Sequence, residues 1–503
     1  MLALLQTQSI VSGFEVVLQP INLFYVFAGV LIGMVIGVLP GLGPAATIAL
    51  LLPTTYVIPP ESAVIMLAGI YYGAYYGGTI TSILLRLPGE AATVVTTFDG
   101  YQMAQQGRAG PALGIAAIGS FIGGIISVVG LIFLAPILAS FALSFGPPEL
   151  TALAVLGLLL VTYLGTTSFV KSLIVAGFGL LLATVGIDPI SGMARFTFGS
   201  TDLLRGLDFV AIVMGVFGLG EVLYNLDQEG RMSTVTSRIS HVWPTMRDWA
   251  QAKGAILRGS VLGFFIGVLP GGGGLVSSLA SYAVEKRLAR EPERFGKGAI
   301  EGVAGPETAN NAGSTSSFIP LLTLGIPPNV VLALIMGALL IQGIIPGPQL
   351  INQHPQIFWG VIASMVIGNL VLLVLNIPLV GVFVQLLRVR MGILAALIVV
   401  VTMIGVYSVN NNVSDIWIML VFGALGYVMR KTGFEPGPLA LAFVLGPILE
   451  QSFRQSVLIS GGSLDIFFTR PISGALFGIA LLIIVFSIFQ FIRKNYRSVQ
   501  RQD

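Results

Sequence analysis

The sequence predicts an all-α integral membrane protein, with about 10–14 hydrophobic segments in two inverted structural repeats that contain broken or re-entrant helices. Three observations predict it. First, of 503 residues 55% are hydrophobic and 9% charged, with a mean hydropathy of +0.93. A soluble domain carries about 25% charged residues, so lipid must be the solvent for much of this chain. Second, apolar stretches recur near 23–53, 61–85, 110–138, 149–165, 170–187, 207–226, 254–284, 306–346, 357–385, 393–409, 414–430, 437–451 and 470–492. A full span needs about 20 apolar residues. Several stretches are shorter, and two long ones carry a Gly/Pro break at the centre. Third, the chain repeats itself. Ile36-Gly37-Val38-Leu39-Pro40-Gly41 recurs as Ile266-Gly267-Val268-Leu269-Pro270-Gly271, an offset of 266 − 36 = 230. Gly78 to Ser82 is answered by Gly313 to Ser317, Gln106-Gly107 by Gln342-Gly343, and Gly110-Pro111 by Gly347-Pro348, in the same order at nearly constant spacing.

Taken along the chain, Met1 to Pro20 does not read as a signal peptide, because it lacks a basic n-region and Glu15 interrupts its apolar run. The 63 glycines are about twice the usual share; with 27 prolines they fit interrupted membrane helices that pack closely. Residues 1–226 form the first repeat and 227–253 a cytoplasmic linker. Residues 254–451 form the second repeat, and 452–503 a C-terminal helix with a basic cytoplasmic tail. Orientation follows the basic residues. Arg231, Arg238, Arg247, Lys253 and Arg258 lie in or beside the linker, Lys286, Arg287, Arg290, Arg294 and Lys297 in the next loop, and Arg493, Lys494, Arg497 and Arg501 in the tail. All three groups belong in the cytoplasm, as do the stretch from Arg86 to Arg108, Arg388/Arg390 and Arg430/Lys431. The segment 254–284 then enters and leaves on one face, a re-entrant hairpin turning near Pro270 to Gly274, while 23–53 opens to the other face. Arg454 and Arg470 fall outside, against the rule.

Composition excludes several function classes. There is no cysteine, and His241 and His354 are the only histidines, which argues against thiolate metal sites, a catalytic zinc and a Ser-His relay. A net charge of +3 spread over short loops is an orientation signal, so no nucleic-acid partner is expected. No G-x-x-x-x-G-K-[ST] or G-x-S-x-G motif occurs, and no cofactor is expected. An intramembrane enzyme needs a nucleophile with its base, or paired aspartates, and neither is present.

The chemistry concentrates in three places. The breaks Pro40-Gly41-Leu42-Gly43-Pro44 and Pro270 to Gly274 free main-chain groups. Amides at a half-helix start attract anions, and carbonyls hold Na⁺; the competing reading is a packing kink. The clusters containing Thr79 and Thr81, and Asn310, Asn311, Ser314 and Thr315, offer neutral donors to a carboxylate and oxygen ligands to a cation. The competing reading is helix–helix bonding, which is preferred for Ser316 and Ser317. Glu307 is a cation or proton site, or else caps a helix start. Lys171 reads as a snorkelling lysine and Tyr71, Tyr72, Tyr75 and Tyr76 as packing. The site residues expected from these readings are Pro40, Gly41, Gly43, Thr79, Thr81, Pro270, Gly271, Gly272, Asn310, Asn311, Ser314 and Thr315, with Glu307 beside them.

At Gly37 to Pro44, at Tyr76-Gly77-Gly78 with Thr79 to Ser82, at Leu87-Pro88-Gly89-Glu90, at Gly186-Ile187-Asp188-Pro189 with Arg195-Phe196, and over Glu301 to Asn329, the sequence resembles the large membrane subunit (TctA type) of the tripartite tricarboxylate transporters. The resemblance covers nearly the whole chain, with Gly274 where the first repeat has Pro44. It implies a multi-pass permease of the bacterial inner membrane that works with a small membrane subunit and a periplasmic solute-binding protein. It also implies import of citrate-like tricarboxylates or other organic carboxylates by symport with Na⁺ or H⁺. The residues alone reach an inverted-repeat transporter with a neutral-donor, anion-compatible site. The alternatives are a stand-alone carboxylate carrier and a channel.

Overall fold

Apolar sequence in lipid must satisfy its own backbone hydrogen bonds, and helices do so within one segment. The computed structural model is accordingly helical almost throughout. It describes residues 2–39, 43–164, 168–227, 241–386 and 391–499. Pro40, Gly41, Arg231, Arg238, Arg388, Arg390 and Arg501 lie outside the described residues.

In chain order the helices are α1 (Leu2–Val17), α2 (Pro20–Val38), α3 (Pro44–Leu51), α4 (Pro60–Leu85), α5 (Thr96–Gln105), α6 (Ala109–Ala142), α7 (Pro147–Leu164) and α8 (Phe169–Ala183). A two-stranded antiparallel hairpin follows, β1 (Gly186–Ile187) and β2 (Ala194–Arg195), pairing Gly186 with Arg195. Helix α9 (Phe209–Val213) continues through a π-helical turn into α10 (Gly220–Asp227). Next come α11 (Met246–Val268), α12 (Gly273–Leu288), α13 (Glu301–Ser316), α14 (Phe318–Leu324), α15 (Val330–Ile341), α16 (Leu350–Gln353) and α17 (Pro355–Asn376). The last are α18 (Val380–Leu386), α19 (Met391–Asn410), α20 (Val413–Lys431), α21 (Gly437–Ile459), α22 (Ile466–Thr469) and α23 (Pro471–Val499). Among the described residues five helices are long and apolar enough to cross a bilayer: 20–38, 109–142, 209–227, 355–376 and 413–431. The all-α membrane class holds; the small hairpin is an addition to it. Packing groups the chain differently from the sequence-order division. One compact unit comprises Met1–Ser140 and Val210–Val428, the other Phe141–Phe209 and Met429–Asp503.

The first unit is organised by two helix pairs of one design. Helix α2 presents Gly29, Gly33 and Gly37 to α4, where a Cβ on each would collide with the carbonyl oxygens of Met66, Ile70 and Ala74. Helix α11 presents Gly259, Gly263 and Gly267 to α13, against the carbonyl oxygens of Gly305, Ala309 and Gly313. Lipid gives no hydrophobic drive for helix association, so helices bind through close backbone approach at small residues. The glycines repeat at 259 − 29 = 230, the offset of the sequence repeat. Their partners repeat at 305 − 66 = 239, one helical turn from the 235 that the Gly78/Gly313 match suggests. The same 239 relates the left-handed caps Arg86 (φ 58) and Gly325 (φ 70), and the N-caps Glu90 and Asn329.

The repeat extends to the ends of α5 and α15. Each closes on a glutamine and a left-handed glycine, Gln106-Gly107 (φ 76) and Gln342-Gly343 (φ 74). The Gln106 amide donates to the Lys297 carbonyl at 2.8 Å, in the loop before α13. The Gln342 amide donates to the carbonyls of Thr55 and Ile58, in the loop before α4. Each half clasps a loop of the other.

In the second unit the arginines that break the orientation rule are both paired. Arg454 meets Asp188 at 2.9 Å and Glu450 at 3.3 Å, and Arg470 meets Glu149 at 2.6 Å. Arg195, on β2, meets Glu450 at 2.6 Å, tying the hairpin to α21. Lys171 donates to the Thr432 carbonyl at 2.8 Å and lies over the Phe434 ring. The Ser191 hydroxyl first, then Arg454 and the Ile190 amide, hold the Asp188 carboxyl well below the usual carboxylate range.

Two measurements check these contacts. In soluble helices Gly→Ala stabilises by about 1 kcal/mol. Gly33→Ala and Gly263→Ala should instead lower the melting temperature of detergent-purified protein, by overpacking worth about 1–3 kcal/mol. Gly177→Ala in α8, where a Cβ meets nothing within 4 Å, should not. A carboxyl with a depressed folded pKa stabilises above its unfolded value, about 3.9, and loses that contribution as pH falls. Asp188→Asn should therefore melt below wild type at pH 7, and the gap should close as pH drops below about 4.

Candidate functional site

Both glycine-packed helices, α2 and α11, end in the same way. Leu39 and Leu269 leave the helix with extended backbone, their amides bonded to Ile36 and Ile266. Beyond the first break, Gly43 is the N-cap residue of α3 and Pro44 its first residue, which needs no donor. A Cβ on Gly43 would meet nothing within 4 Å, while its carbonyl accepts the Thr47 amide and hydroxyl. Thr81 donates to the Val38 carbonyl at 2.9 Å and so finishes the last turn of α2.

At the second break, Gly271 (φ 77) and Gly273 (φ 47) adopt the left-handed backbone that glycine allows. Pro270 precedes them, part-buried. The Gly271 amide donates to the Pro328 carbonyl at 2.8 Å, and the Gly272 amide to Leu269 at 2.9 Å. The expectation that these two amides stand bare is therefore corrected: neighbouring carbonyls occupy them. No side chain caps α12. Its first residues face Tyr75 and Ala92, which bound the space at Gly274, and Asn329, whose amide nitrogen lies 3.8 Å from a Cβ on Gly273.

The polar centre forms around Glu307, which is fully buried on α13. Thr79 of α4 donates to its Oε2 at 2.7 Å, Thr96 of α5 donates to its Oε1, and Asn310 donates to Oε2 at 3.2 Å. Thr79 also lies 3.0 Å from the Tyr75 carbonyl. The Asn311 amide faces three acceptors, Ser120 at 2.8 Å, the Glu307 carbonyl at 3.1 Å and Asn310 Oδ1 at 2.5 Å. It has two hydrogens for them, and its own Oδ1 is buried without a partner. Ser314 bonds back to the Asn311 carbonyl at 3.0 Å. Thr315 is buried beside them. Ser317 donates to Gly267 across the helix pair at 3.0 Å, the packing role its sequence suggests.

Thus Thr79, Asn310, Asn311 and Glu307 come together; Gly43 and Thr81 sit at the first break, and Pro270, Gly271 and Gly272 at the second. Glu307 lies inside α13, seven residues into Glu301–Ser316, so it is not a cap at the helix start. Sequence reasoning missed Thr96, Ser120 and Asn329. It read the four tyrosines as packing; they are buried and also hydrogen-bonded. Tyr71 receives the Asn329 amide at 3.0 Å and the Tyr75 hydroxyl at 3.3 Å. Tyr72 donates to the Ser364 carbonyl at 3.3 Å, and Tyr76 to Asn369 at 3.2 Å. The offset of 239 places Tyr71, Tyr72, Tyr75 and Tyr76 at the positions of Asn310, Asn311, Ser314 and Thr315. That register was the signal available.

The comparisons with known proteins match this architecture to a family. The sequence profile of the Tripartite tricarboxylate transporter TctA family matches residues 23–441, both glycine-packed helix pairs and the whole Glu307 cluster included. The chain belongs to the TctA family. This TctA chain is 50% identical over 483 residues to an Agrobacterium vitis protein, covering 96% of each chain. That relative is described as an uncharacterized 52.8 kDa protein in the TAR-I ttuC′ 3′ region. A second Agrobacterium vitis relative, described as an uncharacterized protein in the TAR-II ttuC′ 3′ region, is 51% identical over 241 residues, 48% of this chain and all of its own. No solved structure matches the chain. TctA proteins are components of membrane transporters, and the helices described above make this one a multi-pass membrane protein.

The donors to Glu307 can be weighed by mutation. Hydrogen bonds to a charged group contribute about 1.5–3 kcal/mol. Thr79→Val and Thr96→Val should each lower the melting temperature accordingly. In a Glu307→Leu background the same changes should cost markedly less, a coupling read by double-mutant cycles.

Proposed function

We propose that this chain is the large membrane subunit of a tripartite secondary transporter in a bacterial inner membrane. In this reading it imports tricarboxylates or related organic carboxylates, driven by a Na⁺ or H⁺ gradient. A periplasmic solute-binding protein delivers the substrate, and a small membrane subunit completes the system. The observation that carries the reading is the buried Glu307 cluster, set between two glycine-packed helix pairs in a TctA chain.

The cluster's chemistry supports coupled transport. A buried carboxylate repels an incoming carboxylate strongly, because low dielectric leaves the repulsion unscreened. Neutralising Glu307 with a proton or a Na⁺ ion removes the repulsion and frees Thr79 and Asn310 to donate to the substrate. Substrate and cation then enter together, which is symport. Asn310, Asn311, Ser314 and Thr315 supply neutral donors, so the emptied site holds no fixed positive charge that would retain the anion. The two halves, inverted about the membrane plane, move against one another to alternate access.

Uptake tests the proposal. Proteoliposomes holding both membrane subunits, with the binding protein added, should accumulate a radiolabelled carboxylate only under an imposed Na⁺ or H⁺ gradient. Counterflow with a panel of carboxylates identifies the preferred one. Glu307→Gln and Asn310→Ala should each lower initial uptake at least tenfold. Wild-type uptake by Asn310→Ala and Thr315→Ala alike sinks the site assignment. Equal uptake by this chain alone makes it a stand-alone carrier, and gradient-independent flux makes it a channel.

A further inference from the structure

The loop before α13 holds a carboxylate that the transport chemistry does not use. Asp99, on α5, is fully buried. Its Oδ1 accepts the amides of Gly296, Gly298 and Ala299, each at 2.8 Å, and its Oδ2 accepts the Tyr282 hydroxyl at 2.9 Å. Gly296 (φ 84) and Gly298 (φ 104) turn the backbone so that three amides converge, an anion-binding nest at the start of a helix. Gly302 leaves room for the carboxylate, since a Cβ there would collide with it. The grip is reinforced by further contacts. Gln106 holds the Lys297 carbonyl, and the Tyr282 ring packs edge-on against Phe98 and Phe295. The loop is charged, with Arg290, Glu291, Glu293, Arg294 and Lys297, and by the basic-residue rule it lies at the cytoplasmic face.

The helix that carries Asp99 also carries Thr96. Residues three apart share a helix face, so α5 touches the loop through one and the Glu307 carboxylate through the other. The helix has ten residues, six of them buried, and is followed by the left-handed Gly107 (φ 76) before α6 begins, so a swing of α5 pivots there and must break the contacts named above. We propose that α5 is the cytoplasmic gate: Asp99 is its latch on the loop at 296–299, and Thr96 is the positioning residue that links the latch to the occupancy of the Glu307 site. The latch's part in transport rests on the reading above; the latch itself does not. Releasing Asp99 frees α5 and withdraws Thr96 from Glu307, so the mouth opens as the site loosens. The corresponding loop of the first half is held by Gln342 alone among these contacts, so the two mouths are latched unequally.

The absence of native cysteine makes the test direct. Ala299 is 1% exposed and its amide is one of the three on Asp99, so Ala299→Cys reports opening. In inverted membrane vesicles a membrane-impermeant maleimide should label Ala299→Cys slowly. Adding Asp99→Asn should speed labelling at least tenfold and lower uptake at least tenfold. Tyr282→Phe, which removes one bond of four, should shift both less in the same direction, and Thr96→Val should also speed labelling. Unchanged labelling in a stably folded Asp99→Asn protein overturns the latch; where that variant does not fold, wild-type labelling of Tyr282→Phe does so. Labelling that responds to Asp99 in a chain that imports no carboxylate upholds the latch and overturns the transport reading instead.

Discussion

Backbone-to-backbone contact between α2 and α4, and again between α11 and α13, is the constraint on which the first unit depends. A glycine every fourth residue removes the ridge that a helix normally presents, and the facing carbonyls occupy its place. In lipid such contact is the principal means of holding helices together, because apolar side chains gain nothing by leaving hydrocarbon for one another. The close approach leaves no room for large side chains between the paired helices. It leaves Glu307 and Asn311 of α13 facing away from α11, toward α4, α5 and α6. Thr79, Thr96 and Ser120 meet Glu307 and Asn311 there. The site is thus a consequence of the packing.

How much of this was legible follows from which signals are local. The membrane class, the two breaks and the repeat at 230 are written in composition and in consecutive residues. Asn310 and Asn311 were legible because two adjacent amides are costly in hydrocarbon without partners. Thr96 was not, since nothing in the sequence sets it apart from Thr93 and Thr97 in the stretch after Glu90. Only the fold brings it to a residue 211 positions away. Gly271 and Gly272 show the opposite failure. Glycine content announces a break but not what fills it, and the carbonyls of Pro328 and Leu269 fill it here. The register of 239 was hidden because the insertion between the paired helices is longer in the second half. Matching Gly78 with Gly313 by letter placed it one turn away, a slip that helical periodicity makes easy.

The corrected register shows that the halves share geometry and divide chemistry. Four positions on the inner helix are Tyr71, Tyr72, Tyr75 and Tyr76 in one half and Asn310, Asn311, Ser314 and Thr315 in the other. The N-cap after the pair is Glu90 in one and Asn329 in the other. A tyrosine carries its hydroxyl at the end of a rigid ring and bonds to a neighbouring element, as Tyr72 and Tyr76 do with α17. Asparagine and serine keep their polar atoms close to their own helix. The tyrosine half is therefore braced against its surroundings, while the amide half keeps its polar groups near the site, with Asn311 Oδ1 still unpaired.

That division bears on which half can respond to a ligand. Bonds from Tyr72 and Tyr76 reach another helix, so altering them costs packing as well as hydrogen bonds. Within the Asn/Ser half, the bonds of Ser314 and Asn310 are to α13 itself and can be exchanged for a ligand without moving a helix. Glu307 is the exception, since its other donors come from α4 and α5. In the proposed symport a cation on Glu307 would compete with Thr79 and Thr96 for the same oxygens, and its arrival would loosen two neighbouring helices at once. On that proposal one side chain would govern how helices sit, because Glu307 is where α4, α5 and α13 are joined.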